Sequence, residues 1–169
     1  MDWSEVTRRV VAEAAAPHPE DVVLQLGADW LLTAALAPRV ARIVVRAPGP
    51  PPPLPANATH EPGAVEPAPL PPGTSVVVLH DALRRLKPEA QRALLRHLGT
   101  SLPRRGLLVI GDVLWSFERE LVDEPDQFGE ANVHAPTTAA LERMLREAGF
   151  LPDVHRFGVG RAVCIALRS

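Results

Sequence analysis

No tyrosine occurs in the 169 residues of this chain, only one cysteine is present, and aromatic residues make up 4% of it. The single cysteine, Cys164, excludes an internal disulfide framework, and its setting "AVCIAL" predicts a thiol buried in a strand. No apolar run approaches the ~18 residues that span a membrane. The first residues also lack the basic start and apolar centre of a signal peptide. We therefore expect a cytoplasmic protein with no membrane partner.

An excess of positive charge is also absent. Lysine and arginine total 18 against 20 acidic residues, which gives a net charge of −2 and a pI near 6.3. This balance offers no basic surface for neutralising phosphates, so we expect no nucleic-acid partner. Seven basic residues do cluster along one predicted helix and its flanks, where we interpret them as a solvated face: Arg84, Arg85, Lys87, Arg92, Arg96, Arg104 and Arg105.

Residues 21–48, "DVVLQLGADWLLTAALAPRVARIVVRAP", contain the pattern of a buried strand, a helix and a second buried strand. "DVVLQL" and "ARIVVRA" are nearly continuous apolar runs, typical of strands that are covered on both faces. Between them Gly27 ends the first strand, and "DWLLTAALA" is helical up to Pro38. An amphipathic helix over residues 3–15 precedes them. The segment is therefore the β-α-β crossover unit of a parallel sheet.

A proline-rich loop follows, because eleven of the nineteen prolines lie between Pro48 and Pro72. Proline lacks an amide donor and fixes φ, so the pattern predicts a loop over residues 48–73 with a polyproline-like backbone. At most a short strand near Asn57–His60 interrupts it. A stiff surface loop is the favoured interpretation, and a ligand for an SH3-like groove is the alternative.

Regular patterns return at residue 74. "TSVVVLHDAL" predicts a strand that ends at His80, and "KPEAQRALLRHLGTSL" predicts the helix after it. A buried strand, a helix and two closing strands around the turn signal "GVG" follow in "GLLVIGDVLW", "PTTAALERMLREAGF", "PDVHRF" and "RAVCIAL". Length and apolar content fit one domain over residues 1–169. The predicted class is α/β with a mainly parallel sheet and a terminal antiparallel hairpin.

Polar side chains at two strand ends are the candidates for catalysis. His80, Asp81 and Asp112 follow neighbouring strands at the edge where open α/β sheets place ligands, and His134 lies in a nearby loop. These residue types can form a metal site or a base with an orienting acid. In the alternative, Asp81 and Asp112 cap adjacent turns and His80 is a strand-end polar residue. The spacing shows no tetrahedral Cys/His motif, and we expect no metal.

The order of these parts resembles the class I S-adenosylmethionine-dependent methyltransferases. "VVLQLGADWLLTAALAPRVARIVV" is similar to their first strand, turn and helix. "SVVVLHDALRRLKPEAQRALLRHLGTSLPRRGLLVIGDV" is similar to their fourth and fifth strands with the intervening helix, and "TTAALERMLREAGF" to a late helix. The resemblance covers most of the chain. It implies a Rossmann-like sheet with helices on both faces and an antiparallel C-terminal hairpin.

The residues that would hold the cofactor depart from the family's pattern. The family's first motif has an acid at the end of the first strand and then glycines, where this chain has Gln25, Gly27, Asp29 and Trp30. An acid that accepts hydrogen bonds from the ribose is replaced by Arg46, followed by alanine. A tryptophan fills space near the cofactor, and an aspartate places a carboxylate beside the cofactor's own. The pattern predicts a vestigial site.

The family also has a helix after the second strand and a further strand before the next crossover, and only the proline-rich loop is available for both. We predict that one covering layer is reduced and that no cofactor is bound. In related enzymes the region matching residues 116–135 helps to cover the substrate; a surface loop is the alternative. The leading hypothesis is a pseudoenzyme acting through protein contacts, as a homodimer or with another protein. The alternative is a divergent small-molecule methyltransferase that binds S-adenosylmethionine in a remodelled pocket.

Overall fold

The computed structural model describes residues 2–114, 134–157 and 160–169. Apart from its last two residues, the segment 116–135 expected to cover a substrate lies outside these ranges. Within them the strands are β1 (Val22–Leu26), β2 (Arg42–Ala47), β3 (Ala58–Pro62), β4 (Thr74–His80), β5 (Leu107–Val113), β6 (Phe150–Phe157) and β7 (Arg161–Arg168).

Four α-helices and two short 3₁₀ turns complete the described residues. Aspartate or threonine side chains cap the first, second and last helices, and proline occupies the first turn of the third. None of the described helices is long and apolar enough to cross a membrane. The helices are α1 (Trp3–Ala14), α2 (Trp30–Leu36), α3 (Pro88–Ser101) and α4 (Thr138–Glu147), and the 3₁₀ turns are Ala37–Arg39 and Leu83–Arg85.

All seven strands belong to one sheet, in the order β3-β2-β1-β4-β5-β7-β6. The first five of these are mutually parallel, whereas β7 runs antiparallel to both β5 and β6. The predicted α/β class with a closing antiparallel hairpin is therefore confirmed. The strand order reverses between β1 and β4, which opens a crevice at their carboxyl ends.

Alternate residues of the central strands supply two separate apolar layers. Val23, Val45 and Val78 face α1 and α2, whereas Leu24 and Leu79 face α3 and α4. Each of the five is at most 1% exposed, which explains why these strands read as continuous apolar runs. A continuous apolar run in these strands thus indicates that helices cover both faces of the sheet.

The proline-rich loop contains a real strand and covers the sheet by itself. β3 lies at Ala58–Pro62, close to the predicted Asn57–His60, and the described residues on either side of it up to β2 and β4 contain no helix. Val65 and Leu70 pack against the α3 side of the core, and Leu54 packs against the other. The apolar surface that a helix would otherwise cover is therefore closed within one chain, and the sheet needs no second copy to cover it.

Cys164 has the setting that its neighbours predict. Its side chain is fully buried in β7. Burial raises the pKa of this thiol to about 12, with further contributions from the negative charges of Glu142 and Asp153. The thiol therefore stays protonated and is not a nucleophile.

Candidate functional site

A cavity of about 460 Å³ lies at the carboxyl ends of β1, β2 and β4, where the strand order reverses. Its walls come from α1, from the turns after β1 and β4, and from the loops after β2 and β3. Open α/β sheets place ligands at this position, and the volume lies within the roughly 300–1,000 Å³ of small-molecule sites. The cavity is thus the candidate site.

The turn after β1 is braced from inside the protein. Gly27 has φ +107°, and its N–H donates to the carbonyl of Arg46 at 3.0 Å. The buried Gln25 amide donates to the carbonyls of Gly27 and Asp29 at 3.1 and 2.8 Å, and it accepts from the Thr33 hydroxyl at 3.0 Å. A carboxylate in place of Gln25 could not donate these bonds. The glutamine therefore fixes a turn whose polar groups are largely engaged.

Asp29 joins three elements at the cavity wall. Its carboxylate accepts from the α2 amide of Leu32 at 3.1 Å, from Arg8 Nε at 2.8 Å and from His80 Nδ1 at 2.6 Å. Burial alone would raise the pKa of Asp29, but the hydrogen bonds from His80, Arg8 and Leu32 outweigh burial and lower it. The negative charge expected to repel a cofactor carboxylate is therefore already paired with a guanidinium.

Asp81, directly after β4, belongs to a second cluster of ion pairs, which joins Asp81 and Asp112 to Arg84 and Arg161. It adopts φ +52°, which is uncommon for a residue other than glycine. One of its oxygens accepts from both Arg84 and Arg161, and the other accepts from the Ser4 hydroxyl at 2.8 Å. Burial opposes ionisation of Asp81, but attraction to His80, Arg84 and Arg161 outweighs it and lowers the pKa to about 2. Asp81 thus ties α1 and β7 to the end of β4.

Asp112, on β5, belongs to the same cluster of ion pairs. It is 1% exposed; Oδ2 accepts from the amides of Leu83 and Arg84 at 2.9 and 3.2 Å, and Oδ1 accepts from Arg84 Nη1 at 2.7 Å. The expectation that Asp112 caps a turn holds in an altered form, because the turn it caps follows β4. Asp81 makes no side-chain cap to that turn, so the capping role proposed for Asp81 is wrong.

These contacts decide which of the four candidate residues come together. His80 and Asp81 are neighbours, with His80 Nε2 3.9 Å from an Asp81 oxygen, whereas Asp112 is enclosed by Arg84 and backbone amides. The His134 carbonyl accepts from the buried Gln91 at 2.7 Å, and among the described contacts its side chain makes none with the other three candidates. Within the described ranges, no group of three or more potential metal-ligating side chains is assembled. The geometry therefore supports the structural interpretation of Asp112.

Trp30 and Arg46 both point away from the cavity. The Trp30 ring packs edge-on to His60, with centroids 5.8 Å apart, against the α1 side of the core. Arg46 is 9% exposed and donates to Glu61 and to the carbonyl of Pro69, each at 2.8 Å. Trp30 therefore does not fill the cavity, which corrects the steric argument made from the sequence. Arg46 instead anchors the proline-rich loop over β2.

Two features of the cavity were not found from the sequence. Arg8, on α1, lines it, although the sequence did not single out Arg8 as a site residue. Pro48 and Ala64 form the wall beyond β2 and β3, whereas the methyl group of Ala47 is buried in the core on the α1 side. The pairing of α1 with the turn after β1 depends on tertiary packing. A heptad or motif pattern carries no signal for it.

The sequence matches no protein-family model and no curated protein. Solved structures do match. YcgJ from Bacillus subtilis has a TM-score of 0.74 at 14% identity, and the match covers 90% of this chain and 71% of that chain. Human N-acetylserotonin methyltransferase in complex with SAM has a TM-score of 0.75 at 17% identity, over 96% of this chain and 52% of that chain. Burkholderia thailandensis 1,6-didemethyltoxoflavin-N1-methyltransferase with bound 1,6-didemethyltoxoflavin and S-adenosylhomocysteine has a TM-score of 0.74 at 19% identity, over 98% of this chain and 78% of that chain. The chain thus spans from about half to about three quarters of their lengths.

TM-scores of 0.74 and 0.75 over 90% to 98% of this chain show that the fold is shared with these neighbours. At 14% to 19% identity the likeness extends to the fold, as a shared fold by itself does not carry a function. The chain has the Rossmann-like fold of the class I S-adenosylmethionine-dependent methyltransferases.

Proposed function

We propose that this chain is a methyltransferase-fold protein with a degenerate cofactor site, and that it acts without catalysis through contacts with other protein surfaces. The cavity persists as a shaped space at the carboxyl ends of the strands. Its polar groups, however, no longer match a nucleoside. The function assigned to the chain is therefore that of a binding protein built on an enzyme fold.

The state of the carboxylates in the cavity carries this proposal. Of the described residues that line it, only Asp29 and Asp81 are acidic, and each is paired with arginine. The wall beyond β2 and β3 presents Pro48, Ala64 and Val65, which offer no side-chain acceptor. Burying ribose hydroxyls without an acceptor costs about 1–3 kcal/mol. Because ~1.4 kcal/mol is a tenfold change, that loss alone weakens a nucleoside ligand substantially.

An exposed apolar row supports the protein contacts. Leu151 and Leu167 are 63% and 42% exposed, and they lie directly opposite each other on β6 and β7. Leu107 of β5 pairs with Leu167, so the three side chains share one face at the hairpin edge of the sheet. A second copy of the chain is the simplest partner for this row, because a homodimer requires no other gene product. Sedimentation at micromolar concentration, wild type beside Leu151→Ser, tests this association.

A divergent small-molecule methyltransferase is the second candidate. The observation that favours it is the open cavity itself, since Trp30 is turned away and the charge of Asp29 is paired with Arg8. S-adenosylmethionine would then sit against the Gly27 turn through backbone contacts. For this function the cavity must bind S-adenosylmethionine with micromolar affinity, although the described residues beyond β2 and β3 offer no side-chain acceptor to the ribose hydroxyls.

Restoring an acceptor separates the two candidates. Ala64 is exposed and lines the cavity, so Ala64→Asp adds a carboxylate without disturbing the core. Calorimetric titration with S-adenosylmethionine should then show binding strengthened by about tenfold or more over wild type. Ala56→Asp is the matched control, since it adds the same charge to an exposed part of the loop that does not line the cavity. Micromolar binding by the wild type would instead favour the enzyme.

A further inference from the structure

Arg8 lies on the cavity wall and uses only part of its guanidinium in an ion pair. Its Nε donates to both oxygens of Asp29, at 3.0 and 2.8 Å, and the side chain is 21% exposed. Within the described residues, the two terminal nitrogens of its guanidinium have no hydrogen-bond partner. A guanidinium fixed at Nε presents those nitrogens in a set direction, so it loses little freedom when it binds an anion.

Arg85 places a second guanidinium on the same cavity. It is exposed, and among the described residues it has no ion-pair partner. Three ion-paired arginines balance three aspartates at and behind the cavity wall, so Arg85 adds an unbalanced positive charge. The balanced groups are Arg8, Arg84 and Arg161 with Asp29, Asp81 and Asp112.

The remaining wall is apolar, and one buried ring nitrogen adjoins it. Val65 and Leu86 line the cavity together with five small or cyclic residues, so a ligand must offer apolar surface as well as charge. His80 is 5% exposed and its Nε2 has no hydrogen-bond partner among the described residues. An unpartnered buried polar atom beside a cavity is unusual and marks a place where a further group can act.

We propose that this cavity binds a small organic monoanion, a carboxylate with an apolar body, whose oxygens accept from the terminal nitrogens of Arg8 while the body lies against Val65 and Leu86. Arg85 contributes attraction at the rim. The ligand class differs from a nucleoside cofactor in that it needs no acceptor at Pro48 or Ala64. This site goes beyond the proposed function, which concerns the loss of the cofactor and the protein contacts.

Benzoate is the probe for this site, with benzamide as its neutral counterpart. In a ¹H–¹⁵N titration of the full chain, benzoate should saturate at low millimolar concentration and shift the amides of the Gly27 turn and of Asp81. Benzamide and inorganic phosphate should each bind at least tenfold more weakly, since one lacks the charge and the other the apolar body. Arg8→Gln should weaken benzoate by about tenfold or more, because it removes a charge-assisted pair.

Two further variants keep the test decisive. Arg85→Gln, at an exposed position where folding is not at risk, should weaken benzoate by about threefold. Arg39→Gln is the matched control; Arg39 is paired with Glu13 away from the cavity, and its loss should change benzoate binding less than twofold. No saturation by 50 mM benzoate, on the order of tenfold above the expected range, overturns the proposal. Equal binding of benzamide or phosphate, or unchanged binding in both Arg8→Gln and Arg85→Gln, also overturns it. Binding of S-adenosylmethionine with no benzoate binding would reject both this site and the degenerate cofactor site.

Discussion

The turns after β1 and β4 carry similar groups for different purposes. Each turn has an aspartate paired with arginine, Asp29 with Arg8 and Asp81 with Arg84. Arg84 is 9% exposed on its side chain and lies between two carboxylates, so its charge is used within the fold. Arg8 is 21% exposed, lines the cavity and uses only Nε in its bonds to Asp29. The difference separates an ion pair that holds the sheet edge together from one that also offers a binding group.

The largest expected effect on stability comes from breaking the buried cluster of ion pairs after β4. Arg84→Met removes the partner of Asp112, which is 1% exposed, and one partner of Asp81. A buried carboxylate left without its cation typically costs about 3–5 kcal/mol. Urea denaturation should show that loss in the free energy of unfolding. The neighbouring Arg85→Met, on an exposed side chain, should stay within about 0.5 kcal/mol, and an equal effect of the two substitutions would reject the assigned difference.

A smaller effect is expected at the turn after β1. Asp29→Asn weakens the N-cap of α2 and the pairs with Arg8 and His80. We expect a loss of about 1–3 kcal/mol in the free energy of unfolding. Because the charge of Asp29 is already paired, the same substitution should not create binding of S-adenosylmethionine. A gain of tenfold or more in that affinity would show that Asp29 repels the cofactor, as the sequence first indicated.

The smallest expected effect is a loss of stability at low pH. The pKa of Asp81 is about 2 in the folded chain and 3.8 for the free side chain. Its ionised form therefore stabilises the fold fully above pH 3.8, and this stabilisation is lost as the pH falls toward 2. We expect a contribution on the order of 1 kcal/mol, since the group is partly exposed. The difference in unfolding free energy between wild type and Asp81→Asn should shrink between pH 5 and pH 2. Asparagine also tolerates the positive φ.

The sequence predicts most of the fold because burial on both faces leaves a direct trace in it. Continuous apolar runs such as "DVVLQL" locate the parallel strands, and proline and glycine locate their ends. The site was harder to predict because the direction of a side chain at a strand end depends on packing. Arg46 stands at the expected acid position but turns beneath the loop to Glu61, and Ala47 turns into the core. Neither orientation follows from residue type.

The same limit applies to contacts between distant segments. Arg8 and Asp29 are 21 residues apart, and His80 lies 51 residues beyond Asp29. Each residue has an ordinary local interpretation as a helix surface residue, an N-cap or a strand-end polar group. Their joint role at the cavity appears only when α1 packs beside the ends of β1 and β4.

The central claim is that the cavity at the end of β1 keeps its shape but has lost its cofactor affinity. Calorimetric titration of the wild-type chain with S-adenosylmethionine and S-adenosylhomocysteine at millimolar concentration tests it most directly. We predict no saturation below about 1 mM, because no unpaired carboxylate lines the described part of the cavity and buried ribose hydroxyls would go unmatched there. A micromolar dissociation constant, together with crystallographic density for the cofactor over Gly27, would contradict the claim and identify a divergent enzyme.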